Sequence, residues 1–296
     1  MMPDELPIDF ADPWEHVRLL SDHARNDVLV EMLRRRAPGK TVLEVGCGTG
    51  LLSCVAARLG ATHVYAVEPT ALVERARAFV SANDLGDRVT VLHGTVEELD
   101  PVPVDVVFSE LLNADPFTEG VVSAMRSAAR WVVPGGFLSP RRLKVYVALA
   151  WATESPEEHQ HARSEVSRLC GAVGLDPTLL LGTLEAPHPH RFFTHAERPL
   201  SLPVLAFDVP LGEAGRIPAE AEVVVRSTVD GELGGALVWF SGEVDDDLWM
   251  TNPPGAGTHW GQMVCGWSRP LKVRRGQSVR LHVSTAGTHL LVRPVR

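Results

Sequence analysis

Residues 42–50, Val-Leu-Glu-Val-Gly-Cys-Gly-Thr-Gly, are a hydrophobic strand that breaks into a glycine-rich turn. The glycines at 46, 48 and 50 let the backbone pass close to a bound group. An apolar run at helical spacing follows (Leu51, Leu52, Val55, Ala56, Leu59), so a helix N-terminus faces the turn with its unpaired N–H groups. The next strand, Val64-Tyr-Ala-Val-Glu68, ends at an acid, where a carboxylate can take both hydroxyls of a ribose. Together these features specify a nucleoside cofactor. The dinucleotide fingerprint is Gly-x-Gly-x-x-Gly, and this turn has one residue fewer before its third glycine, which favours S-adenosylmethionine over a pyrophosphate.

Strands alternate with helices from residue 41 to about 140. Strands fit at 42–45, 63–68, 89–93, 104–109 and after Pro134-Gly-Gly136; helices fit at 51–59, 70–83 and 117–131. That alternation predicts a parallel sheet with covering helices. Upstream, residues 13–36 carry a single helical periodicity (Trp14, Val17, Leu20, Ala24, Val28, Met32), closed by Arg34-Arg-Arg36 and Ala37-Pro-Gly39. After Ser139-Pro140 the period becomes two, in runs beginning at Val145, Val223, Ala236, Trp260, Val279 and Leu290. Many short strands without helices predict a barrel or sandwich. The exception is 154–181, a polar helical stretch with apolar Val166, Leu169, Val173 and Leu175, either decoration or an arm toward a second subunit. The expected organisation is an N-terminal helical segment over the cofactor site (1–40), a Rossmann-like S-adenosylmethionine-binding domain (41–140), and an antiparallel β-barrel domain (141–296) carrying the helical insertion at about 154–181.

A chain of 296 residues is near the size at which domains divide. Its formal charge of −9, from 28 basic and 37 acidic residues, argues against a nucleic-acid partner. An acidic surface suits a cationic substrate or serves solubility alone. Cys47, Cys54, Cys170 and Cys265 lack Cys-x-x-Cys spacing, so neither a metal site nor a disulfide framework is expected. The first residues, Met-Met-Pro-Asp-Glu-Leu, lack a basic region followed by an apolar run, and no stretch of 18 apolar residues occurs. The expectation is a soluble, cytoplasmic protein with no membrane partner.

Chemistry concentrates after the fourth parallel strand, where Val104-Asp-Val-Val-Phe-Ser-Glu110 leads to a second acid, Glu119. On a straight helix that interval turns about 180° and would separate the two. Asn113-Ala-Asp-Pro116 disfavours a continuous helix, and a loop can bring both acids to the cofactor. Convergent carboxylates fit a planar cation such as guanidinium; the alternative is two acids that cap element ends. Gly257-Thr-His-Trp260 is a second patch or a turn with a core tryptophan. Asp22 and Arg25 share a helix face. They are surface charges, or, if the helix covers the cofactor, Arg25 meets its carboxylate and Asp22 awaits a cationic partner. Asp245-Asp-Asp247 is a solvated turn or part of an acidic groove.

The glycine motif extended to Leu-Leu-Ser, the Ser-Glu…Glu hairpin, the switch to a barrel after a proline and the Thr-His-Trp loop resemble the protein arginine methyltransferase family, from about residue 16 to 296. The chain is identified as a divergent, bacterial member. The resemblance implies methyl transfer from S-adenosylmethionine to an arginine guanidinium nitrogen. It gives Arg25 the cofactor's carboxylate and Glu68 the ribose. Gly46, Cys47 and Gly48 would line the cofactor's amino-acid portion, and Val96 and Glu97 would meet the adenine edge. Glu110 and Glu119 would hold the guanidinium, His259 would pair with Asp22, and Trp260 would wall the arginine pocket. Catalytic roles thus fall to Glu110, Glu119, His259 and Asp22, and the 154–181 segment resembles a dimerisation arm that makes a homodimer.

The sequence departs from the family in its pocket. The N-terminal Tyr-Phe-x-x-Tyr has no counterpart beyond Phe10 and Trp14; Trp-Met-Gly-Tyr is replaced by Leu111-Leu-Asn-Ala114; Val121 and Leu19 stand where methionines are usual. Retained acids in an altered pocket leave three readings: general arginine methylation in a protein, peptide or free form, tailoring of an arginine-derived metabolite, or a silent S-adenosylmethionine-binding scaffold.

Overall fold

The central strand of the first sheet is β1 (Thr41–Val45), flanked by parallel β2 (His63–Glu68) and β4 (Val104–Ser109). With β3 (Val89–His93) and β5 (Val132–Ser139) the order is β3-β2-β1-β4-β5. The computed structural model describes residues 13–151, 156–185, 189–190, 198–286 and 289–295. The chain winds outward from β1 through β2 to β3 and then crosses back to place β4 on the other flank of β1, which opens a crevice at the strands' carboxyl ends.

Helices α3 (Leu51–Arg58), α4 (Leu72–Ala82) and α5 (Val121–Ala128) link the strands. The last was expected from residue 117. It starts at Val121 because Gly120 takes φ 73°, leaving 111–120 as a loop. The N-terminal periodicity also divides, into α1 (Pro13–Ser21) and α2 (His23–Arg36). Asp22 interrupts it with extended backbone (ψ 93°) and accepts the N–H of Arg25 at 3.0 Å, capping α2. Leu29, Met32 and Leu33 then face the core. Residues 1–12, with Phe10, lie outside the described residues.

The second half is antiparallel. One sheet runs β7-β12-β10-β6-β8, from β6 (Arg142–Trp151), β7 (Pro189–His190), β8 (Val204–Pro210), β10 (Gly231–Asp245) and β12 (Met263–Val273), with β11 (Leu248–Thr251) on β10. A smaller one runs β14-β13-β9, from β9 (Glu220–Arg226), β13 (Ser278–Ala286) and β14 (His289–Pro294). The fold is a Rossmann-like sheet followed by an antiparallel barrel half with a helical insertion. The strand expected from Trp260 begins at Met263, since Gly261 at φ 59° keeps residues 260–262 in a turn. A continuous apolar core runs from Leu43 and Phe108 through Leu143 and Phe240 to Val292.

The insertion forms α6 (Pro156–Val173) and α7 (Thr178–Glu185), closed in between by Gly174 at φ 71°; residues 154–155 lie outside the described residues. Leu169, Val173, Leu175, Leu179 and Leu180 are exposed, Leu179 at 86%. Among the described residues no helix is long and apolar enough to cross a membrane, and no cluster of three potential metal ligands occurs.

Candidate active site

The glycine turn is built to approach something. Gly46, Gly48 and Gly50 take φ of 75°, 52° and 78°, and a Cβ at Gly46 would stand 2.8 Å from the Leu111 side chain. Gly48 N–H donates to Glu68 Oε2 at 2.8 Å, and Thr70 donates to Oε1 through its N–H (2.9 Å) and hydroxyl (2.6 Å). The Glu68 carboxylate is therefore fixed at the tip of β2 before any ligand arrives, beside the N-terminus of α3.

A cavity of about 500 Å³ opens there, lined by Arg25, Gly46, Cys47, Gly48 and Glu68 together with Glu110, Glu119, His259 and Trp260. Thus the loop after β4 and the Thr-His-Trp loop, from opposite halves of the chain, reach the same space as the glycine turn. Val96 and Glu97 do not line it. Val96 is buried in the core and the exposed Glu97 lies in the loop after β3, where Arg130 reaches the Val96 carbonyl at 3.1 Å.

Sequence reasoning misses Glu44, Thr70 and Asn113, all on the cavity wall. The signal for Glu44 was an acid inside an otherwise apolar central strand. Burial raises its carboxyl to about 8, only partly opposed by the Ser53 hydroxyl, which donates to it, and by the charge of Arg25.

Arg25, extending from the first turn of α2, places its guanidinium on Glu110: Nε and Nη2 each lie 2.5 Å from Oε2. Trp260 Nε1 donates to Glu110 Oε1 at 3.3 Å, with its ring edge-on to Phe240 at 5.2 Å. Glu110 is thus an acceptor for a planar cation and an indole at once.

Asp22 caps α2 with one oxygen and with Oδ2 takes His259 through the backbone N–H (2.9 Å) and ring Nδ1 (2.7 Å). Burial would raise the Asp22 carboxyl, but these hydrogen bonds outweigh it and hold the group low. Burial lowers the His259 pKa, partly offset by Glu110 and Asp22. A neutral imidazole beside a carboxylate carries its proton on Nδ1 and keeps Nε2 as an acceptor. The loop is fixed from behind: Asn252 accepts Phe240 N–H at 2.8 Å and donates to Gly261 O at 2.5 Å, and Gln262 donates to Asn252 O at 3.0 Å.

Asp245-Asp-Asp247 makes neither a groove nor a merely solvated turn. Arg36 binds Asp245 bidentately at 3.0 and 2.5 Å, Arg35 pairs with Asp247, and Arg141 reaches Asp246 at 2.9 Å, so the acids join α2 to the β10–β11 turn.

Residues 42–136 match the methyltransferase domain family. Over 96% of its length the chain is 30% identical to the arginine N(omega)-methyltransferase of Streptomyces achromogenes subsp. streptozoticus, spanning 81% of that protein. The chain belongs to the protein arginine N-methyltransferase family. It is also 30% identical over 83% of its length to a probable histone-arginine methyltransferase of Oryza sativa subsp. indica, of which it spans 49%. The fold matches Arabidopsis thaliana protein arginine methyltransferase 10 with a TM-score of 0.79 at 23% identity, covering 93% of this chain and 88% of that one. A Trypanosoma brucei PRMT1 enzyme-prozyme complex with AdoHcy matches at 0.79 and 20% identity, covering 97% and 95%. The cofactor of this family member is S-adenosylmethionine. Its donor set fits: an acid pinned at a strand tip for a diol, glycine backbone for close approach, and carboxylates for a cation.

Proposed function

We propose that this chain methylates a guanidinium nitrogen of arginine. The observation that carries the reading is one cavity shared by the Gly46–Gly50 turn and Glu68 with Glu110, Glu119, His259 and Trp260. S-adenosylmethionine, when bound, supplies an electrophilic methyl group. Gly46, Cys47, Gly48 and Glu68 would hold it, and Arg25 would exchange Glu110 for its carboxylate, freeing Glu110 for the acceptor. The chain's own work is on the acceptor. A guanidinium is a poor nucleophile because one positive charge is spread over three nitrogens. Glu110 and Glu119 draw that charge toward two nitrogens and fix the direction of the third, so that most of the gain is positioning and electrostatics. Trp260 walls the site. His259, neutral and with Nδ1–H on Asp22, receives at Nε2 the proton that the methylated nitrogen releases, while Asp22 keeps the ring in that tautomer.

Free arginine is the favoured substrate. The Streptomyces relative, similar over nearly the whole chain, is named for arginine itself. Leu111-Leu-Asn-Ala114 removes aromatic contacts beside the acids, and the acidic turn that could have lengthened a peptide groove is engaged with Arg35 and Arg36. A bacterial origin rests on that same relative. Four buried free cysteines suit a reducing, cytoplasmic setting, and the exposed leucines of α6 and α7 suit a homodimer. The test is methyl transfer from labelled cofactor to arginine and to an Arg-Gly peptide, by wild type and Glu119→Gln. Wild type should methylate arginine, and the variant should lose about 100-fold or more in kcat. Undiminished turnover by the variant would sink the double-acid mechanism.

A further inference from the structure

Asn113 stands midway along the acid-bearing loop, on the cavity wall, with 9% of its surface exposed. Its Oδ1 accepts the N–H of Ala114 at 2.7 Å. A backbone N–H can only donate, so the carboxamide orientation is settled: the oxygen serves the loop and the nitrogen points elsewhere. Among the described residues, Nδ2 has no hydrogen-bond acceptor. The nitrogen is not sealed off by protein, so on the cavity wall it is placed to donate to a bound group.

A guanidinium cannot complete it, because that group is all donors. Nor do Glu110 or Glu119, whose oxygens serve the substrate cation. The missing partner is an oxygen, and on a free arginine the oxygens belong to the α-carboxylate. We propose that Asn113 is a specificity residue that donates Nδ2–H to the carboxylate of a small amino-acid substrate whose guanidinium the two acids hold. This rests on the activity proposed above. A carboxylate also terminates the methionine portion of the cofactor, so the same hydrogen bond could be made from that side, and the experiment separates the two sources.

L-arginine and agmatine, which is arginine without its carboxylate, are compared as substrates for wild type, Asn113→Ala and Asn113→Asp, alongside calorimetric titration of each protein with S-adenosylhomocysteine. Asn113→Asp keeps an acceptor for Ala114 N–H, and with it the loop, while turning the donor into a second carboxylate oxygen. KM for arginine should rise about tenfold or more in both variants, and further in Asn113→Asp through charge repulsion. KM for agmatine should stay within about twofold, as should the dissociation constant of S-adenosylhomocysteine. Equal effects on arginine and agmatine would overturn the proposal and leave the activity standing. Weaker S-adenosylhomocysteine binding with an unchanged arginine-to-agmatine ratio would also overturn it, giving the donor to the cofactor. A wild type that methylates neither compound would overturn the activity reading, and this proposal with it.

Discussion

At the scale of single residues, Glu44 shows how far the fold changes what a side chain is. In an unfolded chain its carboxyl ionises near 4.5; packed in β1 behind the glycine turn it holds its proton to about 8, through burial first and the nearby charge of Glu68 as well. Below 4.5 both states carry the proton. Between 4.5 and 8 only the folded state does, so folding loses stability as pH rises through that window and the loss is complete above it. Arg25, Cys47, Cys54 and Glu68 are the other charged or titratable groups coupled to it. Glu44→Gln is neutral at every pH and nearly the same shape. Its urea-unfolding free energy relative to wild type should therefore grow from pH 5 to pH 8, by at most about 1.4 kcal/mol per unit. A pH-independent difference would mean that Glu44 is ionised in the folded protein.

At the scale of elements, the site depends on two loops that have little regular structure of their own. The acid loop, residues 110–120, is tied down by Asp115, which is 4% exposed and accepts Leu290 N–H of β14 at 2.9 Å through Oδ2. Its carbonyl also takes the Thr118 hydroxyl at 2.9 Å and N–H at 3.2 Å. Asp115→Ala leaves a buried N–H without its acceptor and releases the loop that carries Glu110 and Glu119. Stability should fall by about 1–3 kcal/mol. Turnover should fall about tenfold or more, since small misplacement of orienting groups is costly. Asp115→Asn keeps an oxygen for Leu290 and should retain most of both. Because Glu68 and Gly48 sit on other strand ends, S-adenosylhomocysteine affinity should hold within about twofold in the Ala variant. Affinity falling as steeply as turnover would mean that the whole cavity, rather than the loop, had collapsed.

At the scale of the molecule, the two halves share one core and are clamped by side-chain ion pairs at their edge. Arg35 and Arg36 lie in the last turn of α2, and their side chains reach across to bind Asp247 and Asp245 on the β10–β11 turn, with Arg36 also 4.3 Å from the centre of the Phe137 ring. A bidentate pair on an acid that is 1% exposed fixes orientation more firmly than a surface pair would. The helical insertion is the opposite case, with Leu169, Val173, Leu175, Leu179 and Leu180 turned to water. Such a patch is best relieved by a second copy. Light scattering at micromolar concentration should give a dimer for wild type and a monomer for Leu175→Glu/Leu179→Glu. A monomeric wild type would end the arm reading.

The local code settled a good deal by itself. Strand, glycine turn, helix and terminal acid lie within 42–68, so the parallel sheet and the cofactor follow from spacing, because each feature depends on neighbours in sequence. The change from helical period to alternation near residue 140 likewise announced the barrel half. Local pattern does not supply contacts between distant segments; the resemblance to the family implied the Asp22–His259 pair, which the structure shows at 2.7 Å. The break at Asp22 shows why: one carboxylate caps α2 and binds His259 far along the chain, and that second partner is invisible to periodicity. Glu44 reads as part of a strand until burial reveals its altered acidity, and Asp245–Asp247 read as a turn until Arg35 and Arg36 arrive. Asn113 reads as a loop residue, and only the folded loop shows its carboxamide oxygen bound to Ala114 N–H on the cavity wall. Sequence thus determined the elements and the cofactor, through short-range pattern. Tertiary structure decided which side chains meet, because burial and charge pairing belong to groups that are close in space and far apart in the chain.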